Sequence, residues 1–263
     1  PAAGNVYRAE NIPGVVFEEV TVLGSRTVRG PMGPVAGAIR VSELHQDGSS
    51  ETKLFAPGYG EFKTSGGGDL EALAMAVPTD AASQDLPGAL RTMATLSEGM
   101  IESARLDGWP ALRASMRHLS ARWRDVQAQP QPWRIVDRLD TDLKALNRAV
   151  QQRRKAQVEQ RAVDVWHAVL DLQLRYRPVG EINVARMHLW TQQLRVFASK
   201  RDRGAVKGAV ATLEWMRDRL STERTPETLA TVDTWLDRIR RAADAGDLAT
   251  TADRAARLGA VLR

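Results

Sequence analysis

Hydrophobic positions along the chain recur with two different periods, and the change falls near residue 86. Before it, alternating and β-branched residues predict strands at Val15–Leu23 (VVFEEVTVL) and Ala36–Leu44 (AGAIRVSEL). Glu51–Phe55 (ETKLF) returns as a partner strand after the turn sequence Asp47-Gly48-Ser49-Ser50. Ala56–Gly68 (APGYGEFKTSGGG) reads as a loop, and a short helix is expected to begin near Asp69 and to stop at Pro78. The first dozen residues read as a tether.

From Leu86 onward the period is 3.6. One apolar stripe runs through Leu90, Met93, Leu96 and Met100 or Ile101, and a second through Val136, Leu139, Leu143, Leu146 and Val150. A third uses Val184, Met187, Trp190 or Leu194, and Phe197, and a fourth Leu229, Val232, Leu236, Ile239 and Ala243. These helices start near residues 86, 134, 182 and 226. Each ends in a tight break (Asp107-Gly108, the Lys155 region, Asp202–Gly204, Gly246-Asp247) that leads to a second helix anchored by Trp109, Val158, Val206 or Leu248. Thr225-Pro226-Glu227 supplies an N-cap, a proline at the first helical position and an early acid. The expected architecture is mainly α, with four helical-hairpin repeats forming a compact helical bundle behind a small N-terminal β-hairpin arm. Period alone does not separate a bundle from an open solenoid, but no unit carries a solenoid consensus. The expected division is an arm over 1–65, a connecting loop and short helix over 66–85, and the helical-hairpin bundle over 86–263.

Composition narrows the chemistry. The 263 residues are 43% hydrophobic and contain no cysteine, which excludes a disulfide scaffold, Cys-ligated metal and a cysteine nucleophile. No apolar run approaches the ~18 residues of a membrane span. Residues 1–85 hold 6 Lys and Arg against 11 Asp and Glu, whereas residues 86–263 hold 31 against 21. The basic half could favour nucleic acid, but its arginines alternate with acids, as in Arg217-Asp218-Arg219, and read as a salt-bridged helix surface. Its densest basic clusters, Arg153–Lys155 and Lys200–Arg203, are short, so nucleic acid is disfavoured as a partner. The chain opens at Pro1, and the absence of cysteine fits an exported bacterial protein whose leader has been trimmed.

Histidine supplies the candidate metal ligands. His118 and His167 lie nine residues after the anchors Trp109 and Val158, and His188 follows Met187 on the third first-helix. Equivalent positions on packed hairpins can converge, so His118, His167, His188 and Met187 form a candidate copper or zinc set. The competing reading is half-buried helix residues holding one hydrogen bond each, with Met93, Met100, Met187 and Met216 as ordinary core. Glu61, Asp69 and Glu71 around a glycine-rich stretch could hold calcium or serve a hydrolase. Asp69 and Glu71, with no following lysine, count against a phosphate loop there. Asp171 and Arg175 form an i,i+4 pair beside Tyr176-Arg177-Pro178. No Gly-x-Ser-x-Gly, Walker or dinucleotide motif occurs.

The strings APGYGEF (Ala56–Phe62), GGGDLEALAMAVPTD (Gly66–Asp80), DLQLRYRP (Asp171–Pro178) and ATLEWMRDRL (Ala211–Leu220) resemble a family of actinobacterial exported proteins or lipoproteins without an assigned activity. The resemblance spans roughly residues 35–220 and implies a mostly helical, extracytoplasmic domain, with no chemistry that transfers to particular residues. A looser, architectural similarity is to imelysin-type helical bundles, whose His-x-x-Glu motif is absent. The expected function is a non-enzymatic extracytoplasmic binding or scaffold protein, a subunit or accessory of a cell-envelope complex. It would have a protein partner and no cofactor, and membrane contact only through a removed N-terminal anchor. The alternative is a copper- or zinc-binding helical bundle. A carboxylate hydrolase at Glu61–Glu71 ranks third.

Overall fold

The computed structural model describes residues 1–66, 69–73, 85–220 and 224–262. The chain divides into two units, Pro1–Pro78 with Gln131–Arg134, and Thr79–Pro130 with Ile135–Arg263.

The first unit is an antiparallel meander of six strands in sequence order. They are β1 (Val6–Ile12), β2 (Val16–Gly30), β3 (Gly33–His45), β4 (Ser50–Ala56), β5 (Gly60–Gly66) and β6 (Asp69–Leu73). The β3–β4 turn forms where expected: Asp47 Oδ1 accepts from the Ser49 N–H at 2.9 Å, and the His45 N–H bonds Ser49 O at 2.9 Å. Three expectations differ. The tether contains β1, which pairs with β2, and the loop over 56–68 contains β5. Asp69–Leu73 is a strand paired with β5 rather than the start of a helix. The cause is shared: each added strand satisfies ladder groups that β2, β4 or β5 would leave open, which outweighs the helix preference of a five-residue DLEAL segment. The remainder of the expected 66–85 connection, at 67–68 and 74–84, lies outside the described residues. A small core of Val28, Ala38, Ala56 and Phe62 is covered by Val35, Leu54 and Tyr59. Trp133 belongs to this unit, donating from Nε1 to Gly30 O (3.2 Å) with the Arg29 guanidinium 3.8 Å from its ring.

The second unit is helical. Its elements are α1 (Gly88–Arg105), α2 (Trp109–Gln127), α3 (Trp133–Gln151, from Ile135 onward in this unit), α4 (Lys155–Gln173), α5 (Val179–Ser199), α6 (Arg203–Asp218), α7 (Pro226–Asp244) and α8 (Leu248–Val261). Helix α1 packs on α2 and α4, while α5 packs on α4, α6 and α8, and α7 on α6 and α8. Side chains tie α3 to its neighbours: Trp123 Nε1 donates to Asp140 Oδ1 at 2.6 Å, and Arg138 lies 3.5 Å from Asp171. The helices thus close two rings of four, joined where α4 meets α5. This is why α4 and α5 bury residues on several faces, including Val163, Val165 and Leu170 or Met187, Leu189 and Leu194. Among the described residues, no helix is long and apolar enough to cross a membrane.

Four short turns share one geometry. Asp107, Arg153, Arg201 and Gly246 have φ of 54°, 52°, 57° and 73°. Each donates its N–H to the carbonyl three residues back, and the next residue donates to the carbonyl five residues back: Gly108 to Ser103, Arg154 to Ala149, Asp202 to Phe197, Asp247 to Ala242. This is the Schellman arrangement, which closes off the carbonyls at a helix end. The residue after the left-handed position then caps the next helix, and Asp202 and Asp247 do so with their side chains.

Candidate functional site

A cavity of about 720 Å³ opens where these turns lie. Its wall takes Arg105 from the end of α1, Lys155 and Glu159 from the start of α4, and Arg195 from α5. Arg201, Arg203 and Asp247 complete the charged lining from the α5–α6 and α7–α8 turns. Five cationic side chains therefore face two carboxylates, one of them the α8 cap.

Arg105 and Arg195 are fixed side by side. The Nη1 atoms of both donate to Glu102 Oε1 at 2.7 Å, and both also donate to Gln192 Oε1, at 2.9 and 2.7 Å. Sharing two acceptors holds the guanidinium forks in one orientation and leaves donors unspent. Arg105 Nη2 is buried and has no partner among the described residues. Burial, then the charge of Arg195, holds the Arg105 pKa below its ordinary value. Beside the pair, Glu159 is 4% exposed, and burial raises its pKa although Arg105, Lys155 and Arg195 pull the other way. The Lys155 ammonium donates to Arg105 O at 2.7 Å and lies 3.3 Å from Asp107 Oδ2. Arg201 and Arg203 are exposed.

The candidate metal residues are spread out. His118 is exposed on α2. His167 is half-buried on α4, edge-on to Trp190 at 5.8 Å. Burial lowers its pKa to about 4. Met187 is fully buried in the core of α5–α8. His188 is buried, its Nε2 2.9 Å from Glu98 Oε1 and its ring edge-on to Trp166 at 5.4 Å. It borders an open groove of about 530 Å³ with Arg177, Glu181 and Arg224. Its Nδ1 is buried without a partner, and Gly259 of α8 lies so close that a Cβ there would stand 3.2 Å from that nitrogen. The imidazole is therefore sealed against a helix on its free side, and no hydroxyl is hydrogen-bonded to its ring among the described residues.

Among the described residues, the group of His and carboxylate side chains close enough to share a metal is Glu43, His45 and Glu51 in the sheet, with ligand atoms within 4.8 Å of one another. Lys53 already stands there, paired with buried Glu43 and 3.8 Å from Glu51, so an ammonium supplies the positive charge. Glu61 accepts a hydrogen bond from Thr64 on β5, whereas the Asp69 and Glu71 side chains lie outside the described residues. Asp171 pairs with Arg186 (2.6 Å) and Arg138 rather than serving Arg175, which donates to Pro130 O at 3.2 Å. Trp215 is 53% exposed, with the Arg219 guanidinium 3.8 Å from its ring.

Sequence reasoning missed Arg105, Arg195 and Glu159, which look like ordinary helix-surface residues. The available signal was positional: the two short basic clusters lie at the α3–α4 and α5–α6 turns, and both send side chains into this lining. Comparison with protein-family models, curated proteins and solved structures finds no match.

Proposed function

We propose that this chain is a non-enzymatic binding protein, acting outside the cytoplasm, whose helical unit takes an anionic ligand at the turn end. The observation that carries this reading is the Arg105–Arg195 pair, oriented by shared acceptors and left with unspent donors on the wall of a cavity of small-molecule size. No activated nucleophile accompanies it among the described residues, and Glu159, the buried carboxylate in the wall, faces cations rather than a hydroxyl or a histidine. The extracytoplasmic assignment rests on the absence of cysteine and on the resemblance to exported actinobacterial proteins. The four-hairpin repeat is part of the same reading, supported by left-handed residues that recur at 107, 153, 201 and 246.

The test is a thermal-stabilisation panel of inorganic and organic anions, sugars, divalent metals and acidic peptides, run beside a hydrolase screen on chromogenic esters, glycosides and phosphate esters. Anions should stabilise the protein with no turnover. Turnover that disappears in Glu61→Gln, or a chelator-resistant metal in native mass spectrometry that disappears in the His118→Ala, His167→Ala double variant, would replace this reading with one of its rivals.

A further inference from the structure

Resting on the binding reading, we infer that the ligand of the turn-end cavity is a condensed phosphate, a group of two or more linked phosphoryl units, free or at the end of an ester. Three features of the cavity select this chemistry.

The first is donor geometry. Guanidinium forks recognise tetrahedral and planar oxyanions through paired N–H groups, and a fork already held in place loses little entropy on binding. Arg105 and Arg195 use only their Nη1 atoms on Glu102 and Gln192, and the buried Arg105 Nη2 stays without a partner.

The second is the spread of charge. Arg201 and Arg203 enter from a different turn than Arg105, and neither has an ion-pair partner among the described residues. The Arg203 guanidinium lies over the α7–α8 turn, 3.6 Å from the position a Cβ would take on Gly246. A single phosphate is far smaller than about 720 Å³ and cannot answer all of these cations at once. Linked phosphoryl groups place charge at successive positions and can.

The third is Glu159. Its carboxylate is buried in the same wall and opposes any anion, so it sets a threshold. A monoanion such as acetate gains little against it, while a ligand of three or four charges still gains from four guanidiniums.

The experiment is isothermal titration of the intact chain, without divalent metal and at fixed ionic strength, with pyrophosphate, tripolyphosphate, inorganic phosphate, sulfate and adenosine diphosphate. Pyrophosphate and tripolyphosphate should bind one to one, at least roughly tenfold tighter than phosphate or sulfate. The exposed Arg201→Gln, Arg203→Gln double variant, which leaves the helix core untouched, should weaken them by roughly tenfold. Glu159→Gln should tighten them by roughly threefold or more, a gain that damage to the fold would not give. Adenosine diphosphate binding like pyrophosphate assigns an ester as the source, and its exclusion assigns free condensed phosphate. Equal affinity for phosphate and pyrophosphate, no change in either variant, or no binding at all would overturn the inference. If the anion panel still finds a ligand in those cases, the binding reading survives with different chemistry. If the panel is empty as well, both fall.

Discussion

His167 stays neutral to lower pH than an ordinary histidine because burial beside Trp190 penalises the imidazolium more than Asp171 and Asp164 favour it. Its folded pKa of about 4 lies below the ordinary histidine value of 6.5. Between those values the unfolded chain binds a proton that the folded chain refuses, so this residue favours unfolding increasingly as pH falls. Its full contribution to stability is present above pH 6.5, and by pH 4 about 3 kcal/mol of it is lost. His167→Phe keeps an aromatic ring beside Trp190 and removes the proton site. Denaturant midpoints from pH 7.5 to 4.5 should fall more steeply for the wild type than for this variant, and parallel curves would contradict the assignment. A second residue-scale test concerns the approach of α8 to α5. A Cβ on Gly259 would stand 2.7 Å from Thr191 Oγ1, and that hydroxyl cannot easily retreat because it donates to His188 O at 2.6 Å. Gly259→Ala should therefore cost about 1–3 kcal/mol of stability, read from urea unfolding, even though alanine is the better helix former.

The helices were legible because their signals are local. Observed helices begin at Gly88, Trp133, Val179 and Pro226, close to the expected starts, and α2 and α8 begin at their anchors Trp109 and Leu248. Amphipathic period and capping residues act within a few positions of one another, and tertiary packing reinforced them here. The strands β1, β5 and β6 were not legible, because a strand in a meander is defined by the neighbour it completes rather than by its own alternation. Turn chemistry yields a paired prediction. Gly246 holds a left-handed φ of 73°, where a side chain is strained, so Gly246→Ala should lose about 1 kcal/mol. Gly208 lies inside α6 with open space around its Cβ position, so Gly208→Ala should gain a similar amount. Equal shifts of the same sign in thermal melts would show that the turn geometry does not set the difference.

At the scale of the molecule, charge and core size distinguish the two units, and only the first was readable in the sequence. The excess of basic residues after position 86 was visible, yet its focus was not, because Arg105, Lys155, Arg195 and Arg201 are brought together by helix packing rather than by proximity in the chain. The histidine positions illustrate the converse: the register that His118 and His167 share leaves the first on the surface and the second against Trp190, while His188 on α5 lies against Glu98. Core size has a dynamic consequence. The sheet unit closes over a small cluster around Val28, Ala38, Ala56 and Phe62, and every side chain of β1 is exposed. In the helical unit, α4 and α5 are buried from several sides, with Ala162, Val169, Ile182 and Val196 at zero exposure. Local opening is governed by the apolar area that must be exposed, so amide protection should be lowest in β1, intermediate in β2–β4 and highest in α4 and α5. Native-state hydrogen exchange with peptide resolution reads this order directly. Protection of β1 equal to that of α4 would mean that the sheet and the helices open together, and that the chain unfolds as one cooperative body despite its two cores.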